Sequence, residues 1–299
     1  MATIDGQCPW IWITSKQLCE TLKLPSGSAW KALLKPPQTK RSCCRLELVQ
    51  GQGVGQGIIA YYKDICKLVF FTNHHLIPSK ASVTEWKLSV GEITRHQLCK
   101  ENFSTCISCC GPDGILGTSK FEHPKQESLC QFNADFTALV VSPEFTKEIV
   151  KSNLCFPVVT STDIEMLNVA NSHERLYLMR HEEVNPVQLN NKQENMRLSR
   201  DLLLSRQVNV YKQLCQLRYQ AGSVGAGDSG GGVFFHVDER SEYILVGLHK
   251  STEKGVNQER TDLHSAVAIH LVLHAVSSKF QVLIHCVPHP AYCCYGQSY

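Results

Sequence analysis

A serine surrounded by glycines is the strongest chemical signal in this chain of 299 residues. It is Ser229, in the segment 225–232, Gly-Ala-Gly-Asp-Ser-Gly-Gly-Gly. A serine hydroxyl becomes a good nucleophile when a base removes its proton and nearby amides stabilise the resulting oxyanion. Glycines allow a sharp turn and a close approach of backbone N–H groups to a substrate. The same segment is also typical of a plain glycine-rich turn, so other residues must decide between the two.

A base and an orienting carboxylate for such a serine occur earlier in the chain. His74 and His75 follow the apolar run 68–71, and Asp135 lies in the apolar run 132–141. A nucleophilic serine needs a histidine as its base, and the histidine needs an acid that fixes its tautomer and stabilises its charged form. The order along the chain is His, Asp, Ser. Separations of 60 and 94 residues leave room for the strands that must bring the three together.

These segments resemble the chymotrypsin-like serine proteases of the PA superfamily. In that family a strand ends in Thr-x-x-His, a strand with Asp-x-x-x-Leu follows, and Gly-Asp-Ser-Gly-Gly carries the nucleophile. The matching segments are 72–75, 135–139 and 227–231. In addition, 245–248 resembles the strand after the serine that lines the S1 pocket. The resemblance covers about residues 44–276.

The resemblance implies a role for each matched residue. Ser229 is expected to be the nucleophile, His75 the general base and then acid, and Asp135 the orienting carboxylate. The backbone N–H groups of Gly227 and Ser229 are expected to form the oxyanion hole. His75 is preferred to His74 because it is the third residue after the threonine.

The implied activity is that of a serine endopeptidase that hydrolyses proteins or peptides through an acyl-enzyme intermediate. The competing hypothesis is a catalytically silent binding or scaffold protein on the same fold. Retention of the whole triad and of the oxyanion residues favours the enzyme.

Two departures from the family concern activation. Secreted members are usually cut before Ile-Val-Gly-Gly, and the new amino terminus pairs with the aspartate that precedes the serine. No such site precedes the first strand, so the sequence offers Asp228 no evident partner of that kind. Leu76 also stands where a cysteine usually follows the histidine. The chain therefore resembles intracellular and bacterial-type members, including the Htr-like proteases, and activation without an exposed N-terminal isoleucine is expected.

The resemblance also predicts a substrate pocket between segments 221–226 and 248–252. Ser223 is expected near its base, and the absence of an aspartate there disfavours cleavage after Lys or Arg. Viral 3C-like and glutamate-specific proteases carry a histidine at the place of His249, where it binds a P1 Gln or Glu; Tyr219 could orient the ring. A P1 Gln or Glu preference is therefore the hypothesis. The alternative is a histidine of the barrel wall that is bonded to backbone.

The elements that must position these residues are mainly strands. Apolar and alternating runs predict strands at 45–49, 58–62, 67–72, 132–141, 217–219, 232–237 and 243–248. The cysteine-rich segment 83–132 is interpreted as an insertion, 196–216 as helical and 263–276 as a helix. Together with the resemblance, this pattern indicates an all-β fold of two six-stranded antiparallel barrels with a C-terminal helix.

The expected organisation has three parts. They are an N-terminal extension (1–43), a peptidase domain (44–276) and a tail rich in Cys and His (277–299). Within the domain, the first barrel is expected at about 44–165, the second at about 195–262, and the helix at 263–276.

Composition and charge bear on the class of protein and on its partners. The chain is 43% hydrophobic and 19% charged, with 30 basic and 27 acidic residues, which predicts a soluble globular protein without a nucleic-acid partner. No apolar run reaches the roughly 18 residues of a membrane span. The N-terminus lacks the features of a secretory signal, so an intracellular location is expected. The glycine-rich segment 51–57 lacks the Gly-Lys-Ser/Thr ending of a phosphate-binding loop. The sequence does not determine the oligomeric state.

Fifteen cysteines are the unusual feature of the composition. An odd number that includes adjacent pairs does not suggest a disulfide framework, so reduced thiols are expected. Among 99, 106, 109 and 110, only Cys106 and Cys109 have the spacing of a zinc ligand pair. No metal site and no cofactor are expected. A further hypothesis is that these cysteines form a thiol-dependent sensor.

Overall fold

The computed structural model describes residues 12–24, 41–110, 135–160, 175–181, 187–191, 216–220, 224–237, 242–254 and 260–280. Its strands are β1 (Trp12–Thr14), β2 (Cys43–Leu48), β3 (Val54–Tyr62), β4 (Lys67–Thr72), β5 (Trp86–Val90), β6 (Ile93–Gln97), β7 (Phe103–Cys110), β8 (Asp135–Val141), β9 (Cys155–Val159), β10 (Arg175–Met179), β11 (Val187–Asn191), β12 (Gln216–Gln220), β13 (Gly232–Val237), β14 (Glu242–Lys254) and β15 (Arg260–Ala268). Its α-helices are α1 (Ser15–Thr21), α2 (Pro143–Val150) and α3 (Ile269–Phe280). The predicted mostly-β class is confirmed.

The strands form two sheets. The first has the order β6-β5-β2-β3-β4-β8-β7, to which β9 and β1 are attached beside β3. The second has the order β10-β11-β12-β15-β14-β13, and β13 pairs with β10 again. All pairs within these two orders are antiparallel.

The central strands of the first sheet are buried on both faces. In β4, Val69 and Phe71 belong to one hydrophobic cluster, whereas Leu68 and Phe70 belong to another. The first of these clusters also contains residues of β13, β14 and α3, so the two sheets and the helix share one core. Burial on both sides explains the nearly continuous apolar sequences of β3, β4 and β8, because neither face can carry polar side chains without a partner.

Two sequence interpretations were wrong in detail. Within the expected insertion, β5, β6 and β7 are regular strands of the first sheet. Among these strands, β6 is polar because it lies at a sheet edge with its side chains largely exposed, whereas β5 is mostly buried. The helix expected at 263–276 begins only at Ile269, since 263–268 belong to β15 and pair with β12 and β14. Apolar side chains in this stretch matched a helical period by coincidence. The helix expected at 196–216 lies almost entirely outside the described residues.

Part of the expected N-terminal extension belongs to the folded body. β1 pairs with β9, and a capping box between Thr14 and Gln17 begins α1. The ring of Trp12 stacks on Phe234 at 5.5 Å between centroids. Its indole N–H donates a hydrogen bond to the carbonyl oxygen of Tyr243 at 2.7 Å. Trp12 therefore links the first sheet to the second.

A glycine in β3 gives a test of this packing. A Cβ at Gly57 would lie 2.3 Å from the Phe70 ring and 2.8 Å from the carbonyl oxygen of Phe71. The second contact is with backbone, so the sheet itself must shift. We expect Gly57→Ala to lower the free energy of unfolding by about 1–3 kcal/mol, measured by urea denaturation. Gly225→Ala is the control, because a Cβ there meets nothing within 4 Å. Equal midpoints for the two variants would contradict this packing.

Candidate active site

His75 and Asp135 come together because their strands are neighbours. β4 ends at Thr72, three residues before His75, and β8 begins at Asp135. The two strands are antiparallel, with Thr72 opposite Thr137. The end of one strand and the start of the other therefore lie at the same end of the sheet.

Asp135 binds His75 through both carboxylate oxygens. Nδ1 of the ring is 2.7 Å from Oδ2, and the backbone N–H of His75 donates to Oδ1 at 3.0 Å. The side-chain amide of Asn73 donates to the carbonyl oxygen of Asp135 at 2.8 Å. With its proton on Nδ1, the neutral ring has Nε2 as an acceptor, which is the arrangement a general base requires.

The pKa of Asp135 is lowered in spite of its burial. Burial alone would raise this pKa, but the hydrogen bonds from His75 and the nearby charges of His75 and Lys250 outweigh it. The carboxylate is therefore ionised at neutral pH and can stabilise a positively charged imidazole.

His74, the alternative base, points to a different partner. Its Nδ1 is 2.6 Å from the hydroxyl of Ser108. Its side chain is buried, and burial is the main reason that its pKa is lowered. Among the described residues, Asp135 makes its side-chain hydrogen bonds with His75 and not with His74.

Ser229 lies in a tight loop between Val224 and β13. Gly227 and Gly230, on either side of the serine, have φ angles of +93° and +86°. Residues with a Cβ rarely adopt these angles, so both positions favour glycine. The N–H of Gly230 donates to the carbonyl oxygen of His249 at 2.8 Å, which attaches the loop to β14.

The loop also packs against the first sheet. The carbonyl oxygen of Ser229 accepts a hydrogen bond from the backbone N–H of Gln56 at 2.7 Å. A Cβ at Gly230 would lie 2.0 Å from the carbonyl oxygen of Gln56 and 2.6 Å from Oγ1 of Thr72. Thr72 immediately precedes the turn that carries His75. The loop of the serine and the turn of the histidine therefore lie side by side.

The hydroxyl of Ser229 is engaged by a backbone carbonyl in this conformation. It donates to the carbonyl oxygen of Lys250 at 3.2 Å. Within the described ranges, no hydrogen bond joins it to the imidazole of His75. A hydrogen bond from Ser229 to His75 would require this hydroxyl to leave the carbonyl oxygen of Lys250.

The two expected oxyanion donors are available. In the described part of the chain, neither the N–H of Gly227 nor that of Ser229 donates a hydrogen bond. Neighbouring amides are engaged within the loop, with Asp228 bonded to Gly225 and Gly231 bonded to Asp228. Unengaged amides beside a nucleophile are the groups that could bind a developing oxyanion.

Arg180 is a residue of the candidate site that the sequence did not indicate. Its Nε and Nη2 donate to the two carboxylate oxygens of Asp228 at 2.7 and 2.8 Å. The sequence offered Asp228 no amino-terminal partner, and the structure pairs this carboxylate with the guanidinium of an arginine inside the chain. An arginine at the end of a strand, 48 residues away, gives no local signal of this pairing.

The expected pocket histidine is buried beside Tyr219. The hydroxyl of Tyr219 is 2.5 Å from Nδ1 of His249. Burial lowers the pKa of His249 to about 4 and raises that of Tyr219 well above its usual value. At neutral pH, Tyr219 is therefore the donor, and the neutral ring of His249 carries its proton on Nε2. Ser223, the other expected pocket residue, lies outside the described residues.

The described cysteines can be compared with the ligand sets of metal centres. Within the residues that the structure describes, no group of three or more His, Cys, Asp or Glu side chains could hold a metal ion. The described free thiols include Cys43 and Cys44, which are buried, and Cys66, which is exposed. Burial raises the pKa of Cys43 to about 12, so this thiol is unreactive.

None of the helices in the described ranges is both long and apolar enough to span a membrane.

A scan against protein-family models finds no match, and a search of curated proteins finds none either. The chemistry of the site must therefore be argued from its own residues.

The buried His249 predicts a pH-dependent stability. Its pKa is about 4 in the folded protein and 6.5 in a model peptide, so the unfolded chain binds the proton first as pH falls. The free energy of unfolding should be greatest above pH 6.5. Protonation linked to His249 should lower it by roughly 3 kcal/mol between pH 6.5 and 4. His249→Gln should flatten this part of the curve, measured by urea denaturation at several pH values. If the free energy of unfolding falls with pH as steeply in His249→Gln as in the wild type, the lowered pKa of His249 is contradicted.

Proposed function

We propose that this protein is a serine endopeptidase of the chymotrypsin-like type. The observation that carries the proposal is the double hydrogen bond by which Asp135 holds His75, at the end of the sheet against which the loop of Ser229 packs. An ionised, buried carboxylate on Nδ1 of a histidine, next to a loop that carries a serine, has a clear use in acyl transfer. The two sheets would correspond to the two barrels of that fold, within residues 44–276.

The reaction begins when the hydroxyl of Ser229 turns from the carbonyl oxygen of Lys250 to Nε2 of His75. The serine oxygen attacks the carbonyl carbon of the peptide bond while its proton passes to Nε2. Asp135 stabilises the charged imidazole, and the N–H groups of Gly227 and Ser229 stabilise the oxyanion.

Collapse of the tetrahedral intermediate breaks the C–N bond. His75 returns its proton to the leaving amine, and an acyl ester remains on Ser229. Water, deprotonated by His75, then attacks the ester carbonyl in the same way. The ester C–O bond breaks, Ser229 recovers its proton, and the second product leaves as a carboxylic acid.

The proposed enzyme needs no cleavage of its chain for activation. In zymogens of this family, the released amino terminus orders the loop by pairing with the aspartate before the serine. Here the guanidinium of Arg180 already binds both oxygens of Asp228, and the backbone N–H of Gly225 donates to Oδ2 at 2.9 Å. A bidentate Arg–carboxylate pair is strong and well oriented.

The preferred residue on the acyl side of the cleaved bond is proposed to be Gln, with Glu second. A neutral His249 with its proton on Nε2 can donate to the side-chain oxygen of either residue. The low pKa of His249 disfavours the charged ring that would best bind a glutamate. Tyr219 supports this tautomer by donating to Nδ1.

A catalytically silent scaffold is the second candidate, and one observation favours it. The hydroxyl of Ser229 bonds to the carbonyl oxygen of Lys250 instead of to His75. If this rotamer persisted with substrate bound, the serine would remain un-ionised and the site would bind peptides without cutting them.

Labelling with a fluorophosphonate separates the two candidates. We expect the intact protein to be labelled and Ser229→Ala to be unlabelled, because the probe reacts with an activated serine. His75→Ala should slow labelling by about 10²–10⁴-fold through loss of the general base. Ser104→Ala, a change at an exposed serine, is the control and should label normally. A folded protein that stays unlabelled would favour the scaffold.

A positional-scanning peptide library tests the specificity. We expect the fastest cleavage after Gln, slower cleavage after Glu, and little after Lys or Arg. Tyr219→Phe should reduce the preference for Gln by about tenfold, since the ring of His249 loses the donor that fixes its tautomer. Fastest cleavage after Phe or Leu would show that His249 is only a buried histidine of the sheet.

A further inference from the structure

Gln56, in β3, uses all of its polar groups at the boundary between the two sheets. Its backbone N–H donates to the carbonyl oxygen of Ser229, and its own carbonyl oxygen accepts from Oγ1 of Thr72, both at 2.7 Å. Its side-chain Nε2 donates to Oδ1 of Asp228, and Oε1 accepts from the backbone N–H of His181, both at 3.3 Å. One residue of the first sheet thus binds Asp228 and the backbone of the residue that follows Arg180.

The carboxylate of Asp228 shows why an amide is needed here. Oδ1 accepts from Nε of Arg180 and from Nε2 of Gln56, while Oδ2 accepts from Nη2 of Arg180 and from the backbone N–H of Gly225. Each oxygen therefore has two donors. Asp228 is only 5% exposed, so water cannot easily replace a missing donor.

The bonds of Gln56 act directly on the loop of the nucleophile. Asp228 and Ser229 are adjacent, and Gln56 binds the side chain of the first and the backbone of the second. The close approach of Gly230 to the carbonyl oxygen of Gln56 leaves little space for the loop to shift. Because Thr72 holds the same carbonyl oxygen, the loop is held in register with the end of β4.

We propose that Gln56 is a positioning residue, which holds Ser229 at the distance from His75 that acylation requires. The inference rests on the proposed peptidase function and deepens it. Gln56 touches neither substrate nor the reacting atoms; it acts through Asp228 and through the backbone of Ser229. Its neutral amide is essential, since it must donate to a carboxylate and accept from a backbone N–H at the same time.

Gln56→Glu is the most informative change. A glutamate has nearly the same shape and can still accept from the N–H of His181, but when ionised it cannot donate to Asp228. It also places a second negative charge beside that carboxylate, to which Arg180 is bonded. The charged or titratable groups around the side chain are Asp228, Arg180, His181 and Arg45, which is the cross-strand partner of Gln56 in β2. A protonated glutamate regains one donor, so the defect should depend on pH.

The experiment compares fluorophosphonate labelling rates of the wild type, Gln56→Glu and Gln97→Glu. Gln97 is the matched control, because its side-chain amide donates to a carbonyl oxygen on the exposed surface, far from the loop in the chain. At pH 8, Gln56→Glu should label at least tenfold more slowly than the wild type, and Gln97→Glu should label normally. The ratio of the Gln56→Glu rate to the wild-type rate should rise as pH falls to 5.5. Labelling of Gln56→Glu at the wild-type rate would overturn the proposal.

A second measurement separates this inference from the proposed activity. Amide hydrogen exchange in the segment 225–231 should be faster in Gln56→Glu than in the wild type and in Gln97→Glu at pH 8, and the difference should shrink at pH 5.5. If the wild type is not labelled at all, the peptidase proposal fails, while exchange still reports whether Gln56 orders the loop. Unchanged exchange would overturn the positioning role, whatever the activity.

Discussion

The contact of the Ser229 loop with the first sheet is the constraint on which the site depends. The first sheet carries His75 and Asp135, and the loop of Ser229 leads into the second, so the proposed chemistry requires that the two be held in register. Gly230 makes this possible, because its lack of a Cβ lets the loop approach the carbonyl oxygen of Gln56. A side chain at this position would lie 2.0 Å from that oxygen and would push the loop away from the first sheet.

Two buried carboxylates are stabilised in different ways, and the difference matches their use. Within the described residues, the carboxylate of Asp135 receives its hydrogen bonds from His75, so its charge is directed at a ring that would become positive in the proposed reaction. Asp228 is paired with Arg180, a cation that does not titrate in the working range, and so it serves a fixed structural purpose. In both cases an unpaired carboxylate would be too costly to bury.

Strand positions were largely predictable, since apolar runs buried on both faces leave a strong pattern in the sequence. β4 and β13 lie where the pattern predicted them, at 67–72 and 232–237. The pattern failed where exposure alternates irregularly, in β5 to β7. It also failed at 263–268, where short spacing of apolar residues satisfied a helical period although the segment pairs as a strand. Pairing with distant strands decides such segments, and local sequence does not record it.

The sequence by itself determined which groups are present and in what order: a histidine after a strand, an aspartate at the start of another, and a serine among glycines. Only the tertiary structure decided their partners. It selected His75 over His74 for Asp135, supplied Arg180 for Asp228, and brought Gln56 to a carboxylate 172 residues away. The physical reason is that a hydrogen bond depends on positions in space. Residues that meet only after two sheets have packed carry no common local pattern.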